Sequence, residues 1–523
     1  MGTYLNPTNE LFKMTRDTDP YVDKSGLIAE LNRMIHTSNR WVCVSRPRRF
    51  GKTTTANMLN AYYGIGNDSA ELFEDLAISK DASFEKHLNR YNVIFLDIAN
   101  FFSKTKSIDK MIQTIIAELT QEFSETYLDI PQSVTSDFTK YLNTIFLKTN
   151  ISNIVIIDEW DCIFREKTDD SISQNDYLEF LRTLLKDQPY VSLVYMTGIL
   201  PIKRYVSHSA LNMFNEFTMI SPKQFDKYVG FTSDEVKALC ARFGMDYDEM
   251  AAWYNGYSFP NVPEVFNPRS VVAAIQFRSY ENYWVQTVSF EALKIYLVMN
   301  FGGLRESVVS LLAGERIPID TSGFTNDMVS FSSKDDVMTL MIHLGYLGFQ
   351  KNTGEVFIPN KEINDEFITA IKSAKWDVVV KTVSASRELL NATWRKDAKA
   401  VAKYITAAHE ETSHLTYSDE NALSYTISLA YYAARDHYII LREMPAGKDY
   451  ADMIFLPRNS SLDKPPMVVE LKWDKSAEGA VEQIREKKYP SALEGHAGKV
   501  LLVGINYDKK TREHTCVIEE YER

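Results

Sequence analysis

From residue 21 to 222 the chain alternates short apolar runs with longer stretches of helix-like spacing. The apolar runs fall at 41–44, 93–98, 154–158, 192–197 and 217–220. A run such as Ile154-Val155-Ile156-Ile157 predicts a strand buried on both faces, as at the centre of a parallel sheet. Strands alternating with helices in this way predict a doubly wound α/β core. Beyond residue 230 the pattern changes and reads as mostly helical to about 374, with Thr232 and Ser233 standing as caps before one amphipathic run and 338–347 giving another ahead of Gly348. Between them lie two aromatic, turn-rich stretches, Tyr254-Asn255-Gly256-Tyr257-Ser258-Phe259 and Val265-Phe266-Asn267-Pro268-Arg269-Ser270. Their pattern fits a lid over a ligand and fits a packed connector equally well. Residues 376–412 read as helical, and there is no clear repeat or low-complexity tract. Near the C-terminus, Asp452-Met453-Ile454-Phe455-Leu456 and Met467-Val468-Val469-Glu470-Leu471-Lys472-Trp473 predict two strands joined by a polar, proline-bearing loop at 457–466.

Composition narrows the class. At 523 residues and 45% apolar content, the chain is expected to form about two to four soluble globular domains. No apolar run approaches the roughly 20 residues of a membrane helix, and Met1-Gly2-Thr3-Tyr4-Leu5-Asn6-Pro7 lacks the basic start and apolar core of a secretory leader. Cys43, Cys162, Cys240 and Cys516 are scattered without paired spacing, as expected of reduced thiols in a cytoplasmic protein, and no Cys/His cluster suggests zinc. A net charge of −12 argues against coating nucleic acid by bulk electrostatics. The deficit is not uniform: residues 437–523 carry 14 basic and 15 acidic side chains, so this end approaches a phosphate backbone more easily.

The first candidate chemistry follows the run at 41–44. Ser45-Arg46-Pro47-Arg48-Arg49-Phe50-Gly51-Lys52-Thr53-Thr54 stands between a strand and a helix-prone stretch at 55–63. That order builds a phosphate cradle: backbone N–H groups at a helix N-terminus, a lysine for the terminal phosphates and a hydroxyl for Mg²⁺. Arg49, Phe50, Gly51, Lys52, Thr53 and Thr54 are the expected nucleotide-binding positions. Arg46 occupies the place of the generic first glycine, so the loop's first bend is made differently. A basic turn capping an ordinary helix would read the same were it alone. About a hundred residues on, however, Asp158 and Glu159 end the strand at 154–158, where ligands of open α/β sheets bind. Asp158 would hold Mg²⁺, and Glu159 would orient and deprotonate the attacking water. Thr197-Gly198 closes the next strand, either as a sensor of the γ-phosphate or as a plain turn. Lys203 and Arg204 follow, either of them a positive charge for a transition state or, as the preferred reading, plain surface charges.

The second candidate chemistry is at the C-terminal strands. Glu470 and Lys472 are two apart and share a face, and a hairpin brings Asp452 beside them. Two carboxylates that bind Mg²⁺, with a lysine to stabilise phosphodiester attack, make nuclease chemistry; an ion pair on a solvated sheet face is the competing reading. Glu420 upstream would lend a further carboxylate, and Gln483 lies on a following helix with Arg485, Lys487, Lys488 and Tyr489 that would face a phosphate backbone.

Taken together, the loop at 45–53, Tyr21-Val22-Asp23-Lys24-Ser25, Asp158-Glu159-Trp160-Asp161, Thr197-Gly198-Ile199, Gly230-Phe231-Thr232 and Asn255-Gly256-Tyr257 resemble the bacterial AAA-ATPase-like family with a C-terminal PD-(D/E)XK nuclease domain. Asp452, Glu470-Leu471-Lys472 and Gln483-Ile484 fit the nuclease motif, with Asp449-Tyr450 in place of a common Gly-Arg pair. The resemblance implies an α/β fold in three parts: a P-loop NTPase parallel sheet core at 1–229, a helical lid or winged-helix-like region at 230–375, and a restriction-endonuclease-like α/β domain at 376–523. It further implies ATP and Mg²⁺ as cofactors, with Mn²⁺ a second option at the nuclease. Catalysis would fall to Glu159, Asp452, Glu470 and Lys472, and metal ligation to Thr53, Asp158, Asp452 and Glu470. The expected partner is nucleic acid, DNA ahead of RNA, with no membrane and with homo-oligomerisation open. By analogy the family is associated with conflict between cells and mobile elements. Two rivals stand beside an ATP-controlled nuclease: a signal-transducing NTPase whose C-terminal domain binds nucleic acid or protein without cutting, and an adaptor with a spent nucleotide site.

Overall fold

The computed structural model describes residues 2–130, 137–167, 170–202, 211–284, 302–324, 331–373, 377–412, 426–446, 449–458, 464–486, 493 and 499–522. Two compact units emerge, one of residues 1–245, 254–279 and 318–359 and the other of 246–253, 280–317 and 360–523. The stretch 230–375, expected as one middle region, is thus shared between them.

The first unit is built on five parallel strands, β1 (Trp41–Ser45), β2 (Asn92–Asp97), β3 (Asn153–Asp158), β4 (Val191–Gly198) and β5 (Asn215–Phe217), in the order β2-β3-β4-β1-β5. Burial explains the continuous apolar runs. Cys43, Ile94, Leu96, Val155, Ile157, Val194 and Met196 join one core, while the alternating Val42, Val44, Ile154, Ile156 and Tyr195 are buried as well. The last strand comes earlier than the run at 217–220 suggests, because β5 is only a three-residue edge that pairs with Val42 to Val44 of β1. After β1 the chain turns into α1 (Lys52–Tyr63), and after β3 into the short α2 (Cys162–Glu166).

Small sheets interrupt the expected helical middle. β6 (Phe231–Thr232), β7 (Tyr257–Phe259) and β8 (Val262–Phe266) form one, and β10 (Gly348–Gln350) pairs antiparallel with β11 (Glu355–Phe357), following the two-residue β9 (Ile317–Pro318). The aromatic Asn-Gly-Tyr stretch is therefore partly strand. Helix α3 (Ser233–Phe243) starts at a full capping box in which Thr232 and Glu235 satisfy each other's backbone N–H groups. It is followed by α4 (Pro268–Phe277), capped by Asn267, and α5 (Lys334–Leu344), which starts earlier than the periodicity suggests and stops at Gly345 in the left-handed conformation, φ 88°.

In the second unit, α6 (Asp377–Trp394) and α7 (Ala398–Thr412) precede a mixed five-stranded sheet in the order β12-β13-β14-β15-β16. Its strands are β12 (Tyr438–Ala446), β13 (Asp449–Pro457), β14 (Met467–Trp473), β15 (Lys499–Asp508) and β16 (Glu513–Glu522). β12, β13 and β14 run antiparallel in turn; α8 (Ala477–Glu486) then returns the chain so that β15 lies parallel to β14. Met453, Phe455, Val469, Leu471, Val503 and Ile505 pack with α6 and α7, and Ile454, Val468 and Leu502 pack on the opposite face with Val481 and Ile484 of α8. Among the described residues no helix is long and apolar enough to cross a membrane.

Candidate nucleotide and nuclease sites

The loop after β1 carries the first site. Gly51 holds φ 83° as the N-cap of α1, and Arg49 just before it also has positive φ, 68°. These two left-handed residues turn the chain so that the helix N-terminus faces a cavity of about 750 Å³, a volume that suits a nucleotide. Arg49, Phe50, Gly51, Lys52, Thr53 and Thr54 all line it, together with Glu159. Lys52 is buried, and its Nζ donates to the Pro47 carbonyl at 2.9 Å. Burial lowers its pKa, against the raising influence of Glu159, Asp158 and Asp161. Asp158 ends β3 nearly enclosed, and burial pushes its carboxyl up to about 6, opposed by the Thr53 hydroxyl bonded to it and by Lys52. Thr53 and Asp158 thus place hard oxygen donors side by side, the ligand chemistry Mg²⁺ takes. Glu159 turns off the strand with φ 51°, and Arg165 Nη2 donates to its Oε2.

The strand-ending Thr197 is set apart from this group. It is fully buried in β4, its hydroxyl donates to the Val44 carbonyl at 3.1 Å, and it does not line the cavity. Lys203 and Arg204 lie outside the described residues.

The loop also reaches sideways. Phe50 meets the Tyr257 ring edge-on at 5.2 Å, and Tyr257 Oη donates to the Gly345 carbonyl at 2.7 Å, so the cradle, β7 and the end of α5 are in continuous contact. Lys24, on the cavity wall, ion-pairs with Glu235 at 2.6 Å, joining the Tyr21-to-Ser25 motif to the capping box of α3.

The second site lies on β13 and β14. The antiparallel pairing ends with Met453 opposite Val469, and Asp452, the next residue of β13, reaches β14 through its side chain. Asp452 Oδ2 accepts the Leu471 N–H at 2.6 Å. Glu470 is buried, and its Oε1 accepts from Lys472 Nζ at 3.1 Å and from Gln483 Nε2 on α8. The α8 helix can approach this closely because residue 504, opposite Glu470 in β15, is glycine. Asp452, Glu470, Lys472 and Gln483 therefore come together. Glu420 lies outside the described residues, as do Lys487, Lys488 and Tyr489, while Arg485 pairs with Glu519. Among the described residues no group of three or more His, Cys, Asp or Glu side chains forms a ready metal cage. Two carboxylates suit a cation that takes its remaining ligands from water and substrate phosphate, as Mg²⁺ does.

Comparison with known proteins matches the two stretches of chain that carry these residues. Residues 8–206 fit the family described as "Predicted AAA-ATPase", and residues 420–516 fit the PD-(D/E)XK nuclease superfamily. The chain joins an AAA-ATPase-like domain to a PD-(D/E)XK nuclease-superfamily domain. A relative described as an uncharacterized protein in the vnfD 5′ region of Azotobacter chroococcum mcd 1 is 23% identical over 533 residues, 96% of each chain. Two Aeropyrum pernix structures align at 11% identity: the ORC2 protein in ADPNP and ADP complexes, covering 68% of this chain and 97% of its own, and the ORC1 protein in complex with DNA, covering 71% and 98%. Their TM-scores of 0.31 and 0.26 are too low to bear on either site.

Four cations that line the cavity were not named as site residues from sequence: Lys24, Arg48, Arg165 and Arg269. Arg269 sits in the first turn of α4, where Asn267 caps its N–H. Arg48 stands next to the loop, whereas nothing in the sequence spacing links Lys24 or Arg269 to residues 49–54. Arg165 had a local signal of another kind, standing four residues after Asp161 at the distance of one helical turn.

Proposed function

We propose that the AAA-ATPase-like domain binds and hydrolyses ATP and that its nucleotide state controls a divalent-metal-dependent nuclease at the C-terminal end, with DNA ahead of RNA as substrate. The observation that carries the first half is one cavity lined by Gly51-Lys52-Thr53 at a helix N-terminus and by Glu159 at the end of β3, with Asp158 bonded to Thr53 behind them.

In this reading the backbone N–H groups from Gly51 onward cradle the phosphates, and Lys52 exchanges the Pro47 carbonyl for them. Thr53 and Asp158 would hold Mg²⁺, which neutralises charge on the β- and γ-phosphates when bound. Glu159 orients the attacking water and accepts its proton. The cationic wall of Arg48, Arg49, Arg269 and Lys24 offsets the charge of a triphosphate.

At the nuclease, Asp452 and Glu470 would hold Mg²⁺ or Mn²⁺, which lowers the pKa of a bound water and polarises the phosphodiester when present. Lys472 and Gln483 fix the Glu470 carboxylate. Lys472 adds the positive charge that the five-coordinate phosphorane-like transition state calls for. Control by nucleotide fits a cytoplasmic enzyme whose unrestrained cutting would harm its own cell, and it suits a role against mobile elements.

The test is cleavage of double-stranded DNA, single-stranded DNA and RNA by the full chain in Mg²⁺ or Mn²⁺, with ATP, with ADP and without nucleotide. Metal-dependent cleavage that changes with nucleotide by about 5- to 150-fold is the expected result. Lys52→Ala should weaken ATP binding and erase that dependence, while Glu159→Gln should retain bound ATP. Cleavage at one rate in all three nucleotide conditions would leave two independent enzymes on one chain; no cleavage, with binding of nucleic acid retained, would favour the signal-transducing reading.

A further inference from the structure

Two short motifs contain residues that the nucleotide chemistry above leaves unused: Asp158-Glu159-Trp160-Asp161 and Thr197-Gly198-Ile199. One arrangement accounts for both. Asp161 is completely buried, and its Oδ2 accepts the backbone N–H groups of Ile199 at 3.2 Å and Leu200 at 2.9 Å, immediately beyond β4. Gly198 makes the room for it. A Cβ at that position would stand 2.4 Å from Asp161 Oδ1 and 2.7 Å from Trp160 Cδ1. The same Asp161 Oδ2 accepts Arg165 Nε at 3.2 Å, one helical turn along α2.

Arg165 then spends its other arm on Glu159, donating from Nη2 to Oε2. Its guanidinium is largely enclosed, and although burial works against the charge, Asp161 and Glu159 raise its pKa above the ordinary value. A planar fork with one arm on each of two carboxylates transmits position as well as charge, which a flexible point cation does not. Glu159 leaves β3 in the left-handed region, a conformation that persists only where surroundings hold it. Arg165 is such a hold. A continuous set of contacts therefore runs from the backbone beyond β4, through Asp161 and Arg165, to the carboxylate assigned to the attacking water.

We infer that Arg165, anchored by Asp161, is the positioning residue of ATP hydrolysis: it fixes the Glu159 carboxylate relative to the end of β4, and Gly198 is required because that anchor occupies the space of a side chain. This rests on the ATPase reading of the cavity. The arrangement follows the general logic of a base oriented by a third group. Arg165 acts through Glu159, so its loss should be felt in turnover and not in nucleotide capture.

Steady-state ATP hydrolysis and equilibrium ATP binding by the full chain test this. Arg165→Ala and Asp161→Asn should each lower kcat by about 10- to 100-fold, the cost of a base misplaced by a fraction of a bond length to an ångström, with KM and ATP affinity nearly unchanged. Arg165→Lys should recover only part, since an ammonium cannot span both carboxylates. Gly198→Ala displaces Asp161 without altering any charge and should lower kcat in the same way. The double variant Arg165→Ala/Asp161→Asn should be no worse than either single variant, because both break one chain of contacts. If Arg165→Ala raises KM at unchanged kcat, the residue is a phosphate ligand and the inference fails. It fails equally if folded Asp161→Asn and Gly198→Ala turn over like the parent, a result that stands even where Arg165→Ala does not fold. A parent chain without ATPase activity, or Glu159→Gln as active as the parent, would instead sink the nucleotide reading on which the inference depends.

Discussion

Gly504→Ala is the sharpest single test of the nuclease site, because the perturbation is one methyl group and its geometry is fixed by backbone. Residue 504 lies opposite Glu470 in the parallel β14–β15 register. Its Cβ would stand 2.2 Å from the Ala477 carbonyl oxygen, 2.9 Å from Val481 Cγ2 and 3.0 Å from Ala480 Cβ. Val481 can rotate, but the Ala477 oxygen belongs to the first turn of α8 and cannot. Opening 2.2 Å to the 3.4 Å of an ordinary contact moves α8 outward by about 1.2 Å. Gln483 rides on that helix, so its bond to Glu470 is lost or badly stretched. Overpacking of this kind costs about 1–3 kcal/mol. Amide exchange in peptides from β14, β15 and α8, read by mass spectrometry, should therefore accelerate by about 5- to 150-fold where local opening governs it. Metal-dependent cleavage should fall with it, by up to about 100-fold if Gln483 places the carboxylate as argued, while ATP hydrolysis by the first unit persists. Exchange rates within error of the parent would mean that α8 does not rest on residue 504, and the account of how Gln483 reaches Glu470 would be wrong.

Three further outcomes are expected. Asp452→Ala and Glu470→Ala should abolish metal-dependent cleavage and leave ATPase activity nearly intact; loss of ATPase in a folded Asp452→Ala chain would show that the two sites are not separate. Burial pushes His514 down to about 3, with His409 adding to the effect, and His409 is lowered as well. Both imidazoles are therefore neutral when folded, and the unfolded chain binds the extra protons. Stability of the second unit should be full above about pH 6.5 and decline by up to about 1.4 kcal/mol per pH unit from His514 as pH falls toward 3, with His409 acting in the same direction, and denaturation at pH 7 and pH 5 should show a slope that His514→Gln reduces. Tyr257→Phe removes the bond to the Gly345 carbonyl and should cost about 1 kcal/mol in denaturant unfolding of the first unit; an unchanged midpoint would mean that this bond does not hold β7 to the end of α5.

The first sheet, and the β13–β14 pair of the C-terminal one, were legible because their chemistry is written in adjacent residues, whereas β12, β15 and β16 carry no such chemistry. Four β-branched residues before Asp158 announced β3, and the spacing of two between Glu470 and Lys472 fixed their common face regardless of what surrounds them. The middle of the chain was harder. β6, β7 and β8 are two to five residues long, and strands that short offer too few positions for a period-two pattern to stand out. The bounds of α5 were misplaced for a related reason: the capping signals were Ser333 and Gly345, outside and within the apolar run, and they overrode its periodicity. Cations such as Lys24 and Arg269 reach the cavity through tertiary folding alone, so no window of sequence contains both them and the loop they face. Thr197 shows the reverse difficulty. Its position at a strand end was read correctly, yet which way its hydroxyl turns depends on the Val44 carbonyl of a strand distant in sequence.

Arg46 replaces the first glycine of a generic phosphate loop, and it does so as a fully buried guanidinium whose Nη1 donates to the Ser45 carbonyl and, at 2.8 Å, to the Phe217 carbonyl of β5, with the Phe259 ring 5.1 Å away. A glycine at that bend would leave the loop many conformations to surrender when phosphate arrives. The tethered arginine removes them when the domain folds. The cradle consequently meets its ligand already ordered, and the entropy of ordering falls on folding, where the core supplies the driving force, and not on each round of binding and release. A loop of this kind trades adaptability for readiness: it should discriminate poorly among ligands that need the bend to widen, and respond to the right one without first having to take shape.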